Sequence, residues 1–275
     1  MNNIFDIKRF GSMLKHDGMS YFKSFGWTLV ILWILPIIFW GIAYVSMEVL
    51  DTGTITNRGD FISKLVWLTL IIVPSRFYKN VNDSRKGILY AMTPISSFEK
   101  FLSMFVYCVV LTPIVYIVGA VVVDTILALK PGTNPYDGFI FKDLFSRHQM
   151  TDPVNKGIDG QIVEYMLNKN KTLMYIVLVL CVSSIFMFTN MLFKKRKLSK
   201  TIGVLTLVGI ILSVVIVRLV IGIDFESLSY YTDEELVAYG KNIIDVFYSI
   251  GLSVSFILSV VLFYFTYRKI KKQTY

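Results

Sequence analysis

Cysteine is almost missing: Cys108 and Cys181 are the only two in 275 residues. Each lies inside an apolar run, which points to packed small hydrophobes and away from a disulfide framework or a zinc site. Histidine is as scarce. His16 and His148 are separated by long apolar blocks that place them on opposite sides of a membrane, so no His pair is expected to bind a metal. The acids between Asp152 and Glu164 miss the spacing of an EF-hand loop. No Ser/His/Asp or Cys/His set converges in any compartment, and no carboxylate pair stands out. The phosphate-cradling G-x-x-x-x-G-K-[ST] is missing too; "GTNPYDGFIF" from Gly132 fails after its second glycine. Neither enzyme activity nor a cofactor is therefore expected. Residues 1–25 hold no continuous apolar stretch, so they do not read as a signal peptide. No repeat of 20–50 residues is visible.

Apolar residues are abundant. They make up 55% of the chain and raise the mean hydropathy to +0.61, above the roughly 45–50% usual for soluble domains. They fall in blocks long enough to cross a ~30 Å hydrocarbon core at about 1.5 Å per residue. The blocks predict an all-α membrane protein with six transmembrane helices at about 26–48, 61–78, 101–128, 172–193, 201–223 and 243–267. A loop at 79–100 joins the second to the third, and a long loop at 129–171 joins the third to the fourth. Residues 26–275 thus form one transmembrane domain. Before it, 1–25 predicts an amphipathic interfacial helix, with Ile4, Ile7, Phe10, Leu14, Tyr21, Phe22 and Phe25 at helical spacing among charged residues.

Charge gives the orientation. There are 28 Lys and Arg against 19 Asp and Glu, a formal +9. The cations gather in 1–25, 76–100, 194–200 and 268–275, which places both termini in the cytoplasm. The excess is thus a sidedness signal whose inner face meets anionic lipid. It does not indicate nucleic acid, despite "KKRK" at 194–197.

The 82–101 stretch carries helix punctuation. Asp83 or Ser84 caps a short helix, Thr93-Pro94 breaks it, and Ser96 with Glu99 has capping-box spacing, with Thr93 and Pro94 as a competing start. The third span then starts as a helix outside the hydrocarbon. Such an element is either a lever fused to a span or a plain helical hairpin on the lipid surface. Pro36, Pro74 and Pro113 mark expected kinks. Asp124, Arg218 and Asp245 fall at similar depth near the outer boundary. Arg218 pairing with Asp124 or Asp245 would relieve the cost of buried charge, as a gate latch or a static bridge; snorkelling to headgroups is the alternative. Gly209 with Ser213, and Gly251, Ser255 and Ser259, recur at four-residue spacing, which suits close helix packing within the bundle or at a dimer seam.

"KGILYAMTPISSFEKFLSMFVY" (86–107) resembles the loop and third span of bacterial ABC-2-type transporter permeases. The interfacial helix, six spans and inward termini match that family as well. The resemblance implies an ABC-2 exporter-like fold in the bacterial cytoplasmic (inner) membrane. It also implies a homo- or heterodimer with a second permease. A separate ABC-type ATPase subunit would dock on 79–100, with Arg85, Lys86 and Tyr90 as exposed contacts and Glu99 partly a cap. Two other readings stand beside it: a non-transporting scaffold, immunity or sensor protein with this fold, and, ranked third, a secondary transporter.

Overall fold

The computed structural model describes residues 5–50, 58–78, 81, 87, 90, 92–130, 139, 161–162, 165, 171–194, 196–221 and 232–272. The described residues are overwhelmingly helical, with no strand among them. Among the described residues, six long helices form the bundle: α1 (Ile7–Leu50), α2 (Arg58–Phe77), α3 (Ser97–Ala128), α4 (Lys171–Leu192), α5 (Lys197–Ile221) and α6 (Asp233–Lys271). Four of them, within α1, α3, α4 and α6, are long and apolar enough to cross a membrane.

Directions alternate. Trp33 on α1 donates from Nε1 to the Tyr116 carbonyl on α3 at 3.2 Å, and Lys130 just past α3 lies 4.5 Å from the Trp40 ring. With Arg9 paired to Glu99 at the other end, α1 and α3 run parallel. α2 runs against them: Phe39 stacks on Phe61 at 4.7 Å, and Tyr21 meets Phe77 edge-on at 5.3 Å. α4 follows α2, since Tyr175 donates to the Ser63 carbonyl and Asn190 Nδ2 to the Tyr78 carbonyl. α6 runs against α3, with Phe98 at 6.4 Å from Tyr267 and Phe105 at 5.3 Å from Phe263, and so follows α4, whose Phe188 lies 6.2 Å from Phe265. The starts of α1 and α3 and the ends of α2, α4 and α6 therefore share one end of the bundle.

The exterior is the reverse of a water-soluble one. The exposed faces carry Ile34, Ile38, Ile42, Val118, Val122, Val254 and Ile257, whereas Ala43, Ser103, Cys108, Ala120, Ser183 and Ser184 are buried. In lipid, apolar burial no longer drives helices together, so small residues that permit close contact share the interior with large apolar ones such as Tyr21, Phe25, Leu70 and Met187. The same surface in water would be an aggregation hazard. Length, composition and this inverted surface make the chain a multi-pass membrane protein.

The helix expected within 1–25 and the span expected at 26–48 run on as one element. α1 is one helix of 44 residues, about 66 Å long. Gly11, Gly18 and Gly26 do not break it. Met13, Asp17, Tyr21, Phe25, Leu29 and Leu32 form an unbroken buried stripe on it, and tertiary packing along that stripe outweighs glycine's low helix propensity. Pro36 lies inside the helix without ending it.

α3 departs from α-helix in its middle. Val106–Leu111 is a π turn. Pro113 lacks the N–H that would bond the Val109 carbonyl, and its ring would press on that carbonyl; widening the preceding turn relieves both problems. The wider turn inserts one residue. Buried positions step by four along Glu99, Ser103 and Tyr107, by five to Thr112, then by four again to Tyr116, Ala120 and Asp124. One face of α3 is thereby kept against its neighbours.

Candidate functional site

The densest polar structure lies where the first turns of α1 and α3 meet. It starts at α1's own cap: the Asp6 carboxylate accepts from the Lys8 N–H at 2.8 Å and the Arg9 N–H at 3.4 Å. α3 is capped reciprocally. The Ser96 hydroxyl accepts from the Glu99 N–H at 3.2 Å, and the Ser96 N–H donates to Glu99 Oε2 at 2.8 Å.

Glu99 also closes the two caps into one unit. Its carboxylate is fully buried. It accepts from the Asp6 N–H at 2.8 Å, from Arg9 Nη2 at 2.8 Å and from Arg9 Nε at 3.0 Å. A buried carboxylate is tolerable only when its lone pairs are filled, and a forked guanidinium fills two of them with charge-assisted bonds.

Three further ties follow up the helix pair. The Ser103 hydroxyl donates to Asp17 Oδ2 at 2.6 Å, with His16 Nδ1 at 3.5 Å from Oδ1. The Tyr107 hydroxyl donates to the Leu14 carbonyl at 2.6 Å. Gly18 makes that reach possible, since a Cβ there would stand 2.7 Å from the same hydroxyl. Beyond the π turn, the Tyr21 hydroxyl and Thr112 Oγ1 are 3.0 Å apart. Thr112 Oγ1 also donates to the Tyr107 carbonyl across the widened turn at 2.6 Å.

The segment before α3 is folded back on it. The Tyr90 carbonyl accepts both the Thr93 hydroxyl at 2.7 Å and Lys100 Nζ at 2.9 Å. Lys100 lies 5.3 Å from the Tyr90 ring centre. Tyr90 was expected as an exposed contact; it is half-buried, and its hydroxyl is buried without a hydrogen-bond partner among the described residues. Burial pushes this phenol well above its ordinary pKa. Arg85 and Lys86 lie outside the described residues.

The other sequence candidates are scattered. Asp124 is buried on α3, whereas Arg218 is exposed on α5. Asp245 on α6 accepts from the Tyr165 hydroxyl through Oδ1 at 2.8 Å and Oδ2 at 2.9 Å. Among the described residues Arg218 forms no ion pair with Asp124 or Asp245; the three are not brought together. Gly209, Ser213 and Gly251 are exposed, and nothing stands within 4 Å of a Cβ added at either glycine. Ser255 is half-buried and Ser259 is buried.

Cys108 and Cys181 are buried free thiols. No group of three or more His, Cys, Asp or Glu suited to a metal occurs among the described residues. The junction ties α1, α3 and the segment before α3 together through Arg9 with Glu99, Asp17 with Ser103, and Lys100 with the Tyr90 carbonyl.

Arg9, Asp17, Gly18, Ser103, Tyr107 and Thr112 carry this junction, and sequence reasoning singled out none of them for it. One signal was available. Asp17 interrupts an apolar stripe of strict four-residue spacing at Met13, Tyr21 and Phe25, which marks a buried carboxylate in need of a partner. No known protein family, curated protein or solved structure matches the chain.

Proposed function

We propose that the chain is the membrane-spanning permease subunit of an ATP-driven exporter, driven by a separate ABC-type ATPase that docks on 79–100. In this reading six helices span a bacterial cytoplasmic membrane, with both termini inside. Two such subunits form the pathway. ATP binding closes the ATPase pair, and the movement passes through the segment before α3 into the bundle.

The observation that supports the reading is the clamp on Glu99. A segment that only tethers two spans has no use for a buried carboxylate filled by Arg9, Asp6 and Ser96. A segment that transmits force does, because a push on it must move α1 and α3 together. The alternating helix directions and the gathering of Lys and Arg at one end fit both termini inside.

The test is co-purification from the native host. A tagged full chain is compared with an Arg85→Ala/Lys86→Ala variant that reaches the membrane in equal amount. The expected result is an ATP-hydrolysing subunit retained by the unaltered chain and lost from the variant. Absence of any such subunit from both would overturn the proposal in favour of a non-transporting scaffold, immunity or sensor role.

A further inference from the structure

The last turns of α6 carry Arg268, Lys269 and Lys271, followed by Lys272. None is ion-paired among the described residues. Acids are missing nearby in sequence as well: no Asp or Glu occurs in 191–223 or 246–275. The contact between Phe188 and Phe265, with α4 and α6 parallel, sets the turn after α4 level with the end of α6. That turn brings Lys194 and Arg196, the latter in a left-handed conformation with φ 49°. The helix C-terminus supplies about half a negative charge, too little for so many cations.

Tyr264, Tyr267, Arg268, Lys271 and Lys272 line an open groove of about 580 Å³. It lies at the foot of an exposed apolar face on α6, formed by Val254, Ile257, Leu258, Val261 and Tyr264. Lipid acyl chains are the natural cover for such a face in a bilayer. The order along α6 is therefore apolar stripe, tyrosines, then unmatched cations. A phospholipid presents the same order as acyl chain, glycerol and phosphate.

We propose that this groove binds the headgroup of an anionic phospholipid whose acyl chains lie along α6. The phosphate is held by Arg268, Lys271 and Lys272, and the tyrosines sit at the depth of the glycerol, as amphipathic rings do at membrane interfaces. Each cation near an anionic surface contributes on the order of fivefold in affinity, so the set discriminates strongly against zwitterionic lipid.

Native mass spectrometry of the purified full chain tests this. Phosphatidylglycerol and phosphatidylcholine are the probes, with inorganic phosphate as competitor. Two triple variants are compared: Arg268→Gln/Lys271→Gln/Lys272→Gln, and Lys8→Gln/Lys15→Gln/Lys23→Gln, which removes the same charge from α1. All six side chains are exposed, so both variants fold. The expected result is phosphatidylglycerol bound in preference to phosphatidylcholine, about tenfold or more weaker in the α6 variant and little changed in the α1 variant. Equal losses in both variants, or none in either, would overturn the site, because binding would then follow net charge or lie elsewhere. Displacement of the lipid by millimolar inorganic phosphate would also overturn it, in favour of a site for the free anion.

Discussion

Glu99 serves two helices at once, and its partners separate its roles. Ser96→Ala removes one cap bond and is expected to cost about 1 kcal/mol, read as a small fall in melting temperature in detergent. Arg9→Ala strands a buried carboxylate, so it is expected to lower the melting temperature more than Arg9→Ala/Glu99→Gln, in which a neutral amide remains to cap. Equal melting of the single and double variants would mean that the pair contributes no specific attraction. Glycines give a second contrast. A Cβ on Gly119 would land on the Trp33 ring, and one on Gly18 would meet the Tyr107 hydroxyl at 2.7 Å, whereas nothing stands within 4 Å of one on Gly41. Gly119→Ala and Gly18→Ala are expected to destabilise, with Gly18→Ala relieved by Tyr107→Phe. Gly41→Ala is expected to be neutral or to stabilise by up to about 1 kcal/mol. A Gly18→Ala chain as stable as the unaltered one would remove the account of the Tyr107 tie.

At the scale of elements, the π turn in α3 makes a prediction about deletions. Removing exposed Val110 shortens the step between Tyr107 and Thr112 from five to four, which keeps the buried face in register and brings back only the local cost of the Pro113 ring in a regular turn. Removing exposed Val118 rotates everything beyond it by about 100° and turns buried Ala120 and Asp124 away. Membrane yield after detergent extraction is expected to fall far more for the second deletion. What could be read in advance follows the range of the interaction. The Ser96–Glu99 capping box was legible because its bonds close over three residues. The pairing of Arg9 with Glu99 was not, because it joins residues 90 apart. The continuity of α1 was hidden for the same reason: Gly11 and Gly18 argue locally for a break, while the stripe that holds the helix together packs on elements distant in sequence. The π turn was hidden behind Pro113, which reads in isolation as a kink.

At the scale of the whole molecule, the alternating helices assign every described end to one of two sides. Cysteines introduced at exposed Ser12 and Lys271 are expected to react with an impermeant maleimide from the same side of sealed vesicles. Those at exposed Lys130 and Thr232 are expected to react from the other. Native Cys108 and Cys181 are buried and contribute no background. Labelling of Ser12→Cys and Lys130→Cys from the same side would contradict the bundle. The central claim is that the starts of α1 and α3 form one rigid body, and the distance between them tests it most directly. Spin labels at exposed Lys15 on α1 and exposed Met92 before α3 should give one narrow distance distribution in the unaltered chain, and a broad one once Arg9→Ala opens the clamp. A broad distribution in the unaltered chain would contradict the account.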